Sequence, residues 1–157
     1  MSKSTRATLA LTNAGVSFTP VSYAYDGNAE RIGLQAAEAL GEDPACVLKT
    51  LMAEADGKPV CVIVPSDCEV SMKKLASAFN AKSAHMMKPA DAERLTGYHV
   101  GGISPFGQKK TVPTAIEIAA LDHPYVYING GQRGLQVRLL PTDAQRALNA
   151  KAVSLIS

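Results

Sequence analysis

Apolar and polar positions change their spacing several times along the chain, and each change marks an element. Thr5 to Ala14 reads as a short helix that Gly15 ends. Val16 to Tyr25 reads as a strand, with Pro20 confining it to a sheet edge or a bend. Asp26-Gly27-Asn28 is a turn, and Ile32 to Leu40 is an alanine-rich helix closed by Gly41. Val47 to Ala55 and Val60 to Pro65 flank the turn Asp56-Gly57-Lys58-Pro59 as a hairpin. The unbroken apolar run of its second arm predicts burial on both faces. Ser71 caps a helix to Phe79, with Met72, Leu75, Ala76 and Phe79 on one face. Ser83 to Met87 is a short strand, and Pro89 opens a helix ending near Gly97.

In the last third, the pattern leaves the type of Val112 to Ile118 open; a helical turn follows through Leu121. Tyr125–Asn129 and Leu135–Leu140 form a second hairpin around the turn Gly130–Gly134. Pro141-Thr142-Asp143 starts a last helix with Thr142 as its expected cap, and Lys151 to Ile156 is a final strand. Hairpins separated by helices at irregular intervals do not make the regular βαβ alternation of a doubly wound sheet. They predict one α+β domain over 1–157: a curled, barrel-like, mixed and mainly antiparallel sheet with helices packed outside.

Composition narrows the function. The 157 residues carry 16 Lys and Arg against 14 Asp and Glu, too balanced for a protein that coats nucleic acid through its phosphates. Trp is absent and aromatics are 5%, which argues against a base-stacking platform. Three scattered cysteines, Cys46, Cys61 and Cys68, fit neither a disulfide framework nor a zinc motif, and they point to a reducing cytoplasm. The histidines are equally scattered, so neither a metal nor a cofactor is expected. No segment reads as a signal peptide or a membrane span, so no membrane association is expected.

Two places carry candidate chemistry. The loop Gly101-Gly102-Ile103-Ser104-Pro105-Phe106-Gly107-Gln108-Lys109-Lys110 follows an apolar approach. Its glycine pair can bring bare backbone groups close to a ligand, where an N–H could meet an oxyanion or a carbonyl an ammonium. Equally, it can be a structural turn. Lys49 interrupts an apolar strand; it is either the solvent-facing member of an alternating pair with Leu51 or a cation aimed into a pocket. Ser104, before a proline, reads as a local hydrogen-bonding hydroxyl rather than a nucleophile. Cys46, three residues before Lys49, would have a lowered pKa if the two met in space. Lys73-Lys74, Lys109-Lys110, Arg133 and Arg138 could together form a basic rim.

Val47-Leu48-Lys49-Thr50-Leu51, then Gly97-Tyr98-His99-Val100 running into the GGISPFGQKK block, then Gly130-Gly131-Gln132-Arg133-Gly134-Leu135, resemble one family across essentially the whole chain. The sequence is similar to the YbaK-type aminoacyl-tRNA deacylases, relatives of the editing domain inserted in bacterial prolyl-tRNA synthetases. The free-standing deacylases of Cys-tRNA(Pro) are the nearest in pattern. The resemblance implies hydrolysis of the ester between a wrong amino acid and the terminal ribose of tRNA(Pro). It also implies action on Cys-tRNA(Cys) and a transient complex with prolyl-tRNA synthetase. It places the family's essential lysine on Lys49, followed by Thr50, and its pocket glycines on Gly101 and Gly102, continued by Ile103, Ser104 and Pro105. A pocket tyrosine falls on Tyr23, and Ile32 stands where relatives have an aromatic. Gly130 and Gly131 would line the site, and Asn129 stands where relatives carry serine. In the implied mechanism the substrate's own thiol attacks its carbonyl. Two rivals remain: the same chemistry on another mischarged tRNA such as Ala-tRNA(Pro), and a non-catalytic module that binds tRNA or synthetase. The loop also leaves a small-molecule hydrolase open.

Overall fold

Two sheets carry the fold, one of three strands and one of five. The computed structural model describes residues 4–28 and 32–157. In chain order the elements are α1 (Arg6–Asn13), β1 (Thr19–Ser22), α2 (Ile32–Leu40), β2 (Leu48–Ala55), β3 (Lys58–Pro65), α3 (Met72–Ala78), β4 (Ala84–Met86), α4 (Pro89–Thr96), β5 (Thr114–Glu117), β6 (Val126–Asn129), β7 (Leu135–Leu139), α5 (Pro141–Leu148) and β8 (Lys151–Val153). The helical turn expected before β6 is a 3₁₀ turn, Ile118–Asp122.

Local chemistry sets most of these boundaries. The Thr5 hydroxyl accepts from the Thr8 N–H in a reciprocal capping box at α1, and Ser71 accepts from the Lys74 N–H at α3. Gly97 closes α4 in the left-handed conformation. Helix α5 departs from expectation. It begins at Pro141 with Leu140 preceding it, and Thr142 lies inside the first turn instead of capping it. Proline at the first helical position needs no donor and already has the required φ, so no side-chain cap is required.

The small sheet runs β1-β7-β6 and is antiparallel throughout. Of the expected strand Val16–Tyr25, only Thr19–Ser22 pairs, and it lies at an edge, where the missing N–H of Pro20 costs least. The larger sheet runs β4-β2-β3-β5-β8; β2 pairs antiparallel with β3 and β4, while β3-β5 and β5-β8 are parallel. Strand β3 is central, and Val60–Pro65 is buried on both faces. Ile63 packs on one side with Leu48, Phe106, Ile116, Ile128 and Val137. Val60, Val62 and Val64 pack on the other with Leu75 and Leu155.

The expected barrel does not close. The two sheets meet through one parallel bridge, Val47 to Tyr127, after which β2 leaves β6. Strand alternation gives the small sheet two unlike faces. Val126, Ile128, Val137 and Leu139 face the core. Tyr127, Asn129, Gln136 and Arg138 face the other way, where Ala36 and Ala37 of α2 pack beside Val47 and Tyr127. The gap where the sheets part opens onto that polar face.

One buried carboxylate locks the C-terminus. Glu117, 2% exposed, accepts backbone N–H bonds from Leu155 (2.8 Å), Ile156 (3.2 Å) and Ala119 (2.9 Å). Glutamine at this position would turn an amide NH2 against one of those donors and strand it in the interior. Glu117→Gln should cost about 2–3 kcal/mol, seen as a fall of about 5–10 °C in melting temperature.

Candidate active site

The glycine loop is built into the fold from beneath. The Tyr98 hydroxyl donates to the Phe106 carbonyl (2.6 Å), and the buried Ser104 hydroxyl accepts from the Phe106 N–H (3.2 Å). Ser104 therefore shapes the turn, as its place before proline suggested. Gln108 donates to the Ser104 carbonyl (3.0 Å). Pro105 faces a separate depression between α1 and α5 that has no charged lining side chain.

The second glycine segment docks against the first. Arg133 Nε donates to the Val100 carbonyl (2.8 Å) while its guanidinium lies over the Tyr25 ring, 5.5 Å from the centroid. Asn129, 8% exposed, joins the two loops: its Nδ2 donates to the Gly101 carbonyl (3.2 Å), and its Oδ1 accepts from Gly131 N–H (2.7 Å) and Gln132 N–H (3.3 Å). An amide does this with both ends at once. Gly102 N–H donates to the His99 carbonyl (2.8 Å), so it closes the turn and is not free to meet a substrate oxygen. Gly130 is likewise occupied, its carbonyl accepting from the Thr5 hydroxyl (2.5 Å) and its N–H donating to Leu135 (2.9 Å).

Above these loops, where β2 leaves β6, lies a cleft of ≈ 320 Å³. Lys49, Thr50, Tyr23, Gly101, Ile103 and Asn129 line it, six of the residues expected from sequence. Gly102, Ser104, Pro105, Gly130 and Gly131 are not in its wall; hydrogen bonds of Gly102, Ser104, Gly130 and Gly131 hold the two glycine segments in shape. Helix α2 begins at Ile32, whose side chain lies outside the described residues. Sequence reasoning missed Gln136, Tyr25 and the apolar margin of Met86, Met87, Pro89 and Val100. In Leu135-Gln136-Val137-Arg138-Leu139 the glutamine has the spacing of a solvent-facing residue, yet it is 4% exposed. Two oxygens in the wall are buried without a hydrogen-bond partner among the described residues, Thr50 Oγ1 and Gln136 Oε1.

No cysteine lines the cleft, and all three thiols are held protonated. Burial pushes Cys61 up to about 12. Burial, then Glu42 and Asp43, raises Cys46, and Lys49 is not among the groups that shift it. Burial and Asp67 raise Cys68, with only partial opposition from Lys49. Burial also raises the Tyr23 phenol, which stays a neutral donor. The expected basic rim is dispersed. Arg133 covers Tyr25, Arg138 covers Tyr125, and Lys74 donates to Ser154 and the Ile156 carbonyl. Among the described residues, no helix is long and apolar enough to cross a membrane.

The model of the aminoacyl-tRNA editing domain matches residues 28–147. EbsC of Enterococcus faecalis, provisionally named a Cys-tRNA(Pro)/Cys-tRNA(Cys) deacylase, is 37% identical over 106 residues, 67% of this chain and 65% of its own. The proline–tRNA ligase of Acidithiobacillus ferrooxidans is 34% identical over 85 residues, 54% of this chain and 15% of the ligase. The chain thus spans just under two thirds of the first relative and a small part of the second. In solved structures, a protein described provisionally as a trans-editing enzyme for prolyl tRNA synthetase superposes with TM-score 0.82 at 20% identity, covering 97% of this chain and 95% of that one. Hypothetical protein APE2540 superposes with TM-score 0.86 at 18% identity, covering 98% and 100%. At such identities the two structures speak for the fold.

Proposed function

Because the chain belongs to the aminoacyl-tRNA editing domain family, we propose that it is a free-standing deacylase that clears Cys-tRNA(Pro) by cleaving the aminoacyl ester. The carrying observation is the cleft where the two sheets part, which brings Lys49 together with Tyr23, Gly101 and Asn129. Lys49 projects from a strand paired along its whole length with β3, so its cation is held by a rigid element and can take a phosphate or ribose oxygen of the acceptor end. The Gly101 backbone, fixed by Asn129, meets the aminoacyl carbonyl.

The chemistry then comes from the substrate. The cysteinyl sulfur attacks its own carbonyl carbon, a C–S bond forms, and the bond to the ribose oxygen breaks. The thiol proton ends on the released ribose hydroxyl, and water opens the resulting thiolactone to cysteine. The protein's part is to fix the reacting groups at short range. The same cleft serves Cys-tRNA(Cys) where the acceptor end is bound alike. A transient complex with prolyl-tRNA synthetase would supply tRNA selection, since a net charge of +2 gives weak hold on a whole tRNA.

Release of cysteine from Cys-tRNA(Pro) should outpace release of alanine from Ala-tRNA(Pro), which lacks the thiol. Equal rates would transfer the mechanism to water and make Ala-tRNA(Pro) an equal substrate. No release from either would leave the non-catalytic binding module. A variant with Cys46, Cys61 and Cys68 all changed to alanine should keep turnover within about threefold, because protonated thiols outside the cleft are poor nucleophiles. If this variant folds but is dead, an enzyme thiol does the work.

A further inference from the structure

A buried amide oxygen without a partner is costly, and the fold keeps one in the wall of the cleft. Gln136 is 4% exposed, lies opposite Asn129 in the β6–β7 pairing, and its side chain approaches the Tyr23 hydroxyl. The neighbouring amide, Asn129, has its oxygen filled by Gly131 and Gln132. Gln136 Oε1 is therefore the side-chain amide acceptor still open to a ligand, and Thr50 Oγ1 is a second open oxygen in the same wall. Neither has a hydrogen-bond partner among the described residues.

An aminoacyl ester offers its donors at two ends, the ribose hydroxyls and the α-amine. Asn129, which is paired with Gln136, lies two residues beyond the Val47–Tyr127 bridge, where the sheets part. Lys49 comes from β2 of the larger sheet and Gln136 from β7 of the smaller one, so the two line the cleft from different sheets. With the ribose and phosphate at Lys49, the group that arrives at Gln136 belongs to the amino acid. Among the described residues no carboxylate lines the cleft, and Lys49 does, so a charged ammonium is poorly accommodated.

Resting on the deacylase reading above, we propose that Gln136 is a specificity-determining residue that recognises the α-amine of the aminoacyl group in its neutral form, with Oε1 accepting an α-N–H. Thr50 Oγ1 supplies the second contact. The cleft then selects aminoacyl esters with a free amine over acyl esters without one.

The test pairs two substrates with two proteins. Wild type and Gln136→Leu are assayed on Cys-tRNA(Pro) and on 3-mercaptopropionyl-tRNA(Pro), which keeps the thiol and lacks the amine. Wild type should favour the cysteinyl substrate by at least about tenfold in kcat/KM, since a site that hydrogen-bonds a polar group rejects the analogue lacking it. Gln136→Leu should lose that factor on the cysteinyl ester alone, so the preference collapses. Its melting temperature should equal or exceed that of wild type, because leucine removes an unpartnered buried amide; a merely structural glutamine would not show this. Gln136→Glu should keep the preference and extend activity to lower pH, because a carboxylate admits the ammonium. An equal loss on both substrates would overturn the amine contact while leaving the deacylase standing. If wild type releases neither acyl group, the deacylase reading fails first and takes this one with it.

Discussion

Lys49→Ala should lower kcat/KM for Cys-tRNA(Pro) by about 100-fold or more, the range seen when a preorganised electrostatic contact is removed. That corresponds to about 2.7 kcal/mol of lost transition-state stabilisation. The protein should melt within about 1–2 °C of wild type, because Lys49 is half-exposed and none of the described ion pairs includes it. The backbone at Lys49 stays paired with Val64 whatever the side chain, so the strand survives the change. Lys49→Arg should not restore full activity: a planar fork on a longer arm replaces a compact charge in a cleft of ≈ 320 Å³. The readout is single-turnover release of labelled cysteine beside a thermal melt. A folded Lys49→Ala protein with wild-type kcat/KM would remove the cation from the mechanism and shift acceptor-end binding elsewhere.

Why the residue pattern alone left Lys49 open between two readings is visible in the fold. Alternation along β2 does put Lys49 and Leu51 on one face and Thr50 on the other. What periodicity does not report is a contact 80 residues away in sequence: Val47 bridges Tyr127, and residues of β6 and α2 pack beside that end of the strand, so the half-exposed Lys49 borders a cleft. Local periodicity reports which residues share a face, not what covers it. The Ser71 cap, the end of α4 at Gly97 and both hairpins were legible because Ser71, Gly97 and the glycine turns act within a few residues, whereas the Thr142 cap was not borne out. The open gap between the sheets was not, since it depends on where β2 stops pairing with β6. Gln136 was hidden for the same reason, its polar spacing pointing to solvent that the fold has displaced. The resemblance pointed to the loops that border the cleft but did not divide wall from support. Gly101 and Ile103 reach the cleft, whereas Gly102, Ser104 and Pro105, neighbours in the same motif, hold the loop in shape.

That division gives the second large effect. Gly102→Ala should lower both stability and activity, in contrast to Lys49→Ala. A Cβ on Gly102 would lie 2.8 Å from Arg133 N and 2.9 Å from Gln132 C, backbone atoms at distances that Cβ contacts do not adopt. Those atoms cannot easily retreat. Gln132 N–H is held by Asn129 Oδ1, the Gln132 carbonyl accepts from Leu135 N–H (3.1 Å), and Arg133 Nε is tied to Val100. The methyl group must therefore prise the two glycine segments apart at a cost of about 1–3 kcal/mol, as overpacking usually does. That lowers the melting temperature by about 3–10 °C. The parted loops also drag the Gly101 carbonyl from Asn129, and an ångström of misplacement there should cut kcat/KM by about 100-fold. Gly101→Ala is the informative comparison. Its φ of +91° penalises any side chain, but the nearest obstacle, Tyr25 Oη at 2.6 Å, is the end of a side chain that can swing aside. The order of stability should be wild type, then Gly101→Ala, then Gly102→Ala. A Gly102→Ala protein as stable and as active as wild type would mean that the two loops are not pressed together, and the cleft would need another account of how its Gly101 wall is held.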